Sequence, residues 1–291
     1  MTGLFEKNPR LKGIFYIVLS AFCFAWMNTF VRLSGDLPSI QKSFFRNLVA
    51  AFVAFVLLRK DHVPLRWQKG NLKFLLVRSI CGTLGILGNF YAVDHLLLAD
   101  ASMLQKMSPF FALIFSYFFL KEKCTPFQVS AIIIAFFGSL FIIKPTFANM
   151  ELVPSLIGFI GGMMAGAAYT TVRYLGLRGE QGKFIVFFFS MFSCLSVVPY
   201  LIFHYVPMEL WQFGALLMAG AAATGGQFAI TAAYCYAPSK EISVYDYSIV
   251  IFSAIIGFFL LGQVPDGYSL VGYLIIGAMA ILMYLRNRRD L

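Results

Sequence analysis

Charge is what this sequence has least of: Asp, Glu, Lys and Arg make up 12% of its 291 residues, where a soluble domain has about a quarter. Acids are fewer than bases, 13 against 23, and the three histidines, His62, His95 and His204, lie far apart. These shortages exclude whole classes of chemistry. No HExxH and no paired DxxxD acids offer a metal site, no GxSxG offers a nucleophile elbow, and no Walker A glycine loop cradles a nucleotide. ATP hydrolysis within this chain is therefore excluded as an energy source. Cys23, Cys81, Cys124, Cys194 and Cys235 are odd in number and scattered without CxxC spacing, which argues against a disulfide framework or a dithiol redox site. No cofactor and no metal are expected, and the chain does not read as an enzyme.

What is present is hydrocarbon. Hydrophobic residues make up 60% of the chain, grouped into apolar segments at roughly 12–32, 41–58, 72–92, 100–120, 127–144, 155–175, 183–204, 210–232, 242–262 and 268–286. A helix needs about 20 apolar residues to cross the hydrocarbon layer. The runs are continuously apolar instead of alternating, so helices are expected and a barrel is not. An all-α membrane protein with ten transmembrane helices follows. The basic start could open a signal peptide, but its apolar run is too long and lacks a small-residue cleavage pattern, so it is kept as the first span.

The net charge of +10 does not point to nucleic acid, because its placement follows topology. Lys7, Arg10, Lys12, Arg59, Lys60, Arg66, Lys69, Lys121, Arg178, Lys183, Lys240 and Arg286 all fall on one side of the alternating spans. The opposite connections are nearly uncharged. Positive loops stay cytoplasmic, which places both termini there and the protein in the plasma (inner) membrane as a multi-pass protein.

The second half repeats the first at the offset of about 141 residues that separates Thr29 from Thr170. Thr29-Phe30-Val31-Arg32 recurs as Thr170-Thr171-Val172-Arg173, and the same shift pairs Lys42 with Lys183, Thr83 with Thr224, Gly85 with Gly226 and Phe118 with Phe259. Two repeats are expected, 1–145 and 146–291. Five spans in each force the second copy to enter the membrane from the opposite face, giving an inverted repeat with a substrate site near the midplane.

Charged groups at membrane depth are costly and tend to face a cavity or a partner. Asp246, in Val244-Tyr245-Asp246-Tyr247-Ser248, lies inside the ninth span, and the repeat shift pairs it with Gln105 beside Lys106 in the fourth. Asp246 is the candidate for proton coupling or for a cationic group, while Arg46 and Lys106 are candidates for an anionic one. Trp26, Asn28, Asn89, Tyr91, Tyr169, Gln227 and Tyr245 are the polar and aromatic side chains suited to lining a substrate site. Arg78 begins the third span beside a basic loop and is read as an interfacial anchor. Arg32 and Arg173 stand at span ends, where snorkelling is the ordinary behaviour. Gly158, Gly161, Gly162 and Gly166 of the sixth span, and Gly220, Gly225 and Gly226 of the eighth, mark close helix approach. Pro109 is expected to kink the fourth span.

The run Ala99-Asp100-Ala101-Ser102-Met103-Leu104, then Pro109-Phe110-Phe111-Ala112-Leu113, ending Phe119-Leu120-Lys121-Glu122, resembles the drug/metabolite transporter superfamily, specifically its EamA-like ten-helix members. The second copy departs from that pattern with Val250 at the proline position and Gln263 at the glutamate position. The resemblance implies two inverted five-helix repeats and transport of a small organic solute; members export amino acids and drugs or take up S-adenosylmethionine, choline and nucleotide sugars. Ser43-Phe44-Phe45-Arg46, Tyr245-Asp246-Tyr247 and Val264-Pro265-Asp266 look like the S-adenosylmethionine uptake members. The expected function is secondary active transport of an amino acid, a nucleoside, an S-adenosylmethionine-like compound or a similar metabolite by alternating access. The expected partners are the solute, the lipid bilayer and, for coupling, protons; exchange, and a monomer or a homodimer, all fit. An integral membrane enzyme acting on a lipid and a non-transporting scaffold are the alternatives.

Overall fold

The computed structural model describes residues 9–95, 104–105, 107–122, 125–143, 152–261 and 267–289. Regular structure among them is helical throughout. The helices are α1 (Pro9–Leu33), α2 (Ser39–Lys60), α3 (Leu72–His95), α4 (Ser108–Phe115), α5 (Pro126–Ile143), α6 (Leu152–Leu177), α7 (Gly182–His204), α8 (Leu210–Tyr236), α9 (Ser248–Leu261) and α10 (Gly267–Arg289). A π-helical turn, Ser116–Leu120, continues α4, and a four-residue helix, Ser239–Ile242, with a 3-10 segment, Ser243–Tyr247, precedes α9.

Local sequence accounts for the helix ends. Glu209 caps α8 in a reciprocal box with Gln212, whose side chain accepts from the Glu209 amide at 3.0 Å, satisfying donors that the first turn leaves open. Past the end of α6, Gly179 adopts φ +75°. This left-handed position, which a side chain disfavours, lets the Glu180 amide fold back to the Leu175 carbonyl at 3.0 Å.

Six helices among the described residues, α1, α2, α3, α6, α7 and α8, are long and apolar enough to cross a membrane by length and composition, and shorter apolar helices lie in the remaining segments. Large apolar side chains face outward: Phe52, Phe119, Phe203, Phe259 and Leu274 are all largely exposed. An outer surface of this kind has no place in water and suits lipid. The protein is a multi-pass membrane protein.

Polar contacts show which helix ends meet. At one end Arg10 pairs with Glu241 at 2.7 Å, Arg173 with Glu122 at 3.2 Å and Lys183 with Asp61. There the Glu180 carboxylate accepts from the Asn71 side chain at 2.8 Å and from the Gln68 amide at 3.2 Å. At the other end Gln41 exchanges two bonds with the backbone of Val206, at 2.9 and 3.0 Å, and Gln212 donates to the Ser34 carbonyl at 3.2 Å. The first end thus gathers the start of α1 and the end of α6, the second the end of α1 and the start of α8. The main core, with Ile17, Leu58, Leu75, Leu175, Ile185, Tyr234 and Tyr247 fully buried, stands toward the ion-paired end; toward the other, among the described residues, lie a small cluster around Met27, Ala219 and Ala223 and the contact of Ala92 with Leu104.

Two local expectations change. Pro109 lies in the first turn of α4, where its missing amide costs nothing, and does not kink a helix interior. Pro199 is the proline inside a helix, in α7. Arg173 does not snorkel: its guanidinium bonds Glu122 and donates to the Cys235 carbonyl at 3.1 Å. The glycine stripes do mark close packing. A Cβ on Gly161 would sit 3.1 Å from the Asn89 amide, and one on Gly220 2.7 Å from Val49.

Candidate functional site

A cavity of about 140 Å³ lies between the two halves of the chain. Phe24, Met27 and Asn28 of α1, Arg46 of α2, Arg78, Gly82, Asn89 and Phe90 of α3, Gln105, and Ser108 of α4 line it from the first half. Ala165 and Tyr169 of α6, Phe189 of α7, Gln227 of α8, Asp246 of the 3-10 segment and Ile249 of α9 complete it from the second.

Arg46 is six per cent exposed and Arg78 two per cent, and neither forms an ion pair among the described residues. Arg46 stands seven residues inside α2 and Arg78 six inside α3, so at 1.5 Å per residue each lies roughly 10 Å from its helix start. Those starts are at opposite ends of the bundle, so the two guanidiniums approach the middle from opposite ends, within mutual electrostatic range.

Different contacts orient them. The Arg46 Nη1 donates to Asn47 Oδ1 at 3.0 Å and its Nε to the weak acceptor Met27 Sδ at 3.3 Å; the Asn47 amide in turn donates to Ser193 Oγ at 2.9 Å, which ties the arrangement to α7. The Arg78 guanidinium lies 4.0 Å above the Phe189 ring, a cation–π contact. It can lie there because residue 82, one turn on, is glycine: a Cβ would collide with Arg78 Nη1 and approach Phe189 to 2.8 Å. Its Nε and Nη1 are buried with no acceptor among the described residues. Burying an ionised group without a partner costs several kcal/mol.

The other polar groups of the lining, set among Phe24, Met27, Phe90 and Ile249, are equally underused. Asp246, eight per cent exposed, has no cation on it among the described residues, and the Gln105 Oε1 is buried without a donor. Among the described residues Gln227 donates to Thr231, at 3.3 Å. Tyr169 stacks on Tyr234 with centroids 5.0 Å apart and lies within electrostatic range of Arg46, Arg78 and Asp246 alike.

Of the residues singled out in the sequence, Asn28, Arg46, Asn89, Tyr169, Gln227 and Asp246 come together at this cavity. Trp26 does not line it and stacks on Phe30 instead. Tyr91 sits in a separate apolar crevice with Leu84, Leu87, Ile157 and Tyr200, and Tyr245 is buried in the core beside Val244 and Tyr247. Lys106, Asp100 and Val264-Pro265-Asp266 lie outside the described residues. Asp246 occupies a 3-10 segment ahead of α9, not the helix interior. Arg78 is the principal correction: it is a buried cavity residue and no interfacial anchor. A glycine four residues after an arginine inside an apolar run was the available signal.

The fold and the cavity define a helical multi-pass membrane transporter class, with a polar chamber enclosed by both halves of one chain. Comparison with known proteins narrows this. Residues 11–144 match the EamA-like transporter family, and the chain belongs to that family, within the drug/metabolite transporter superfamily. It is 31% identical to the pseudopaline exporter of Pseudomonas aeruginosa over 273 residues, 93% of this chain and 95% of that one. It is 27% identical to human solute carrier family 35 member G1, covering 94% of this chain and 79% of that one. The riboflavin transporter of Brucella anthropi matches at 23% over 92% of this chain. A solved crystal structure superimposes with a TM-score of 0.80 over 95% of this chain at 14% identity, which shows a shared fold.

Proposed function

We propose that the protein is a secondary active transporter of the plasma membrane that moves a small organic solute by alternating access. In this reading ten spans form two inverted five-helix repeats, 1–145 and 146–291, which rock about the central cavity. The observation that carries it is the convergence of buried polar groups from both halves, Arg46, Arg78 and Gln105 against Tyr169, Gln227 and Asp246, with so few protein partners. A stable scaffold would replace such groups with apolar ones, since unpaired buried charge only destabilises. The meeting of the α1 start with the α6 end supports inversion, because these are the repeat-related spans. The 3-10 segment Ser243–Tyr247 that interrupts the helix before α9 supports a site built on a broken helix.

The ends of the bundle support a direction of opening. The end rich in Arg and Lys is closed by the main core and by three ion pairs, each joining one half to the other. Exposed Asn28 lies toward the opposite end. With the basic end cytoplasmic, this is a state closed to the cytoplasm. The relatives' names extend the reading to small metabolites, as exporter or as importer. Asp246 is the coupling carboxylate of this scheme.

The test is flux in proteoliposomes holding a panel of amino acids, nucleosides and S-adenosylmethionine. Protein-dependent counterflow of at least one solute is expected, with Asp246→Asn abolishing its acceleration by a proton gradient. No flux above empty liposomes for any panel member defeats the transport reading.

A further inference from the structure

Resting on the transport reading, we propose that Arg46 and Arg78 together form a receptor for a carboxylate of the solute, so that the protein selects compact carboxylic acids and rejects their neutral analogues. The two guanidiniums are buried cations of the cavity, and among the described residues each keeps unused donors: Arg78 Nε and Nη1 are enclosed without an acceptor, and two bonds, one to sulfur, hold Arg46. They repel one another. A planar anion between them removes that repulsion and satisfies the open donors with the fork geometry that guanidinium offers a carboxylate.

The remaining walls shape the choice. Asp246 on the second half repels a second anion at its end of the chamber and suits an amine, while Asn28, Asn89 and Gln227 offer amides to neutral polar groups. A chamber of about 140 Å³ is well below the roughly 300 Å³ at which drug-sized pockets begin. In this conformation the solute is of amino-acid size, and an isoalloxazine or a nucleotide sugar does not fit.

The seat of Arg78 belongs to the receptor. Phe189 supports the guanidinium from below and Gly82 leaves the space it occupies. The two residues come from different halves of the chain, so a carboxylate held by Arg78 also reports the apposition of α3 and α7. An arginine serving only to pack there would not leave two donors open.

The experiment is thermal-shift and equilibrium binding on the full chain in detergent, with a panel of amino, hydroxy and keto acids, each paired with its primary amide, and with inorganic phosphate as a control. At least one acid is expected to stabilise the protein and its amide is not. Arg46→Gln and Arg78→Gln each weaken that acid about tenfold or more, while the unliganded variants melt at the same temperature or higher, because a buried unpaired charge has gone. Arg78→Lys restores binding only in part, since the planar fork is lost. Equal binding of acid and amide, no binding by any acid, tighter binding of phosphate than of every acid, or full affinity in both glutamine variants overturns the proposal. Flux of a solute that binds without this discrimination sinks the receptor and leaves transport standing; discriminating binding without any flux does the reverse.

Discussion

A single missing side chain decides what Arg78 does. Arginine near the end of an apolar span ordinarily extends to the lipid interface, but here it turns inward because Gly82 leaves room and Phe189 presents a ring face. Gly82→Ala separates stability from function. Alanine favours the helix by about 1 kcal/mol, which offsets part of the cost of its Cβ against the buried Phe189 ring, so the melting temperature should change little while Arg78 is pushed from its seat and solute affinity falls. Affinity equal to that of the unmodified protein would show that the seat is irrelevant. Asn47 is the corresponding support for Arg46, holding its Nη1 and anchoring to Ser193. Asn47→Ala breaks both bonds at about 1 kcal/mol each and should raise the apparent KM for the solute severalfold with a smaller change in kcat. A change confined to kcat would place Asn47 outside solute recognition.

Whole helices behave as rods that meet at their ends, and the ion pairs there look like latches. Arg10 with Glu241, Arg173 with Glu122 and Lys183 with Asp61 all join one half of the chain to the other at the same end. Lys183 with Asp61 is exposed and contributes at most about 1 kcal/mol. The other two pairs are largely shielded from solvent, where removing one charge leaves its partner unpaired and costs more, so breaking those two shifts a conformational equilibrium by roughly tenfold or more. Cys235 reports on this, because its carbonyl accepts from Arg173. In a background lacking the other cysteines, Glu122→Gln with Glu241→Gln should speed maleimide labelling of Cys235, and saturating solute should change the rate again. Labelling unaffected by the substitutions would mean that core packing alone closes this end. The glycines of α6 act at the same scale: Gly161 and Gly166 bring its backbone against α3 and α4, which places Tyr169 at the cavity wall.

Across the whole molecule, the two ends differ in charge and in packing. The basic end holds Arg59, Lys60, Arg66 and Lys69 and the main core, whereas the other end is joined by amide contacts such as Gln41 with Val206. If the basic end is cytoplasmic, an impermeant maleimide applied to intact cells should label a cysteine at Pro207→Cys and spare one at Lys69→Cys until the membrane is permeabilised. The opposite pattern would invert the orientation and, with it, the side to which the cavity opens. The outer surface is legible at this scale too: Phe118 and Phe259, which stand 141 positions apart in the sequence, are both strongly exposed, which suits side chains that face lipid.

Hydropathy, the placement of basic residues and the repeat are sums over neighbouring positions, so the sequence by itself determined that this is a helical multi-pass membrane protein and where its apolar segments run. It also picked out Arg46, Asn28, Asn89, Tyr169, Gln227 and Asp246 as polar groups at membrane depth. Only the tertiary structure decided which of them share one chamber. Trp26, Tyr91 and Tyr245 have the right chemistry, but a helix rotation of a few tens of degrees carries a side chain from cavity to lipid or core, and that rotation is set by contacts with other helices. Arg78 shows the same limit from the other side. Whether a long cation reaches outward or inward depends on what stands opposite it, and Phe189, more than a hundred positions along the chain, is brought there by packing alone.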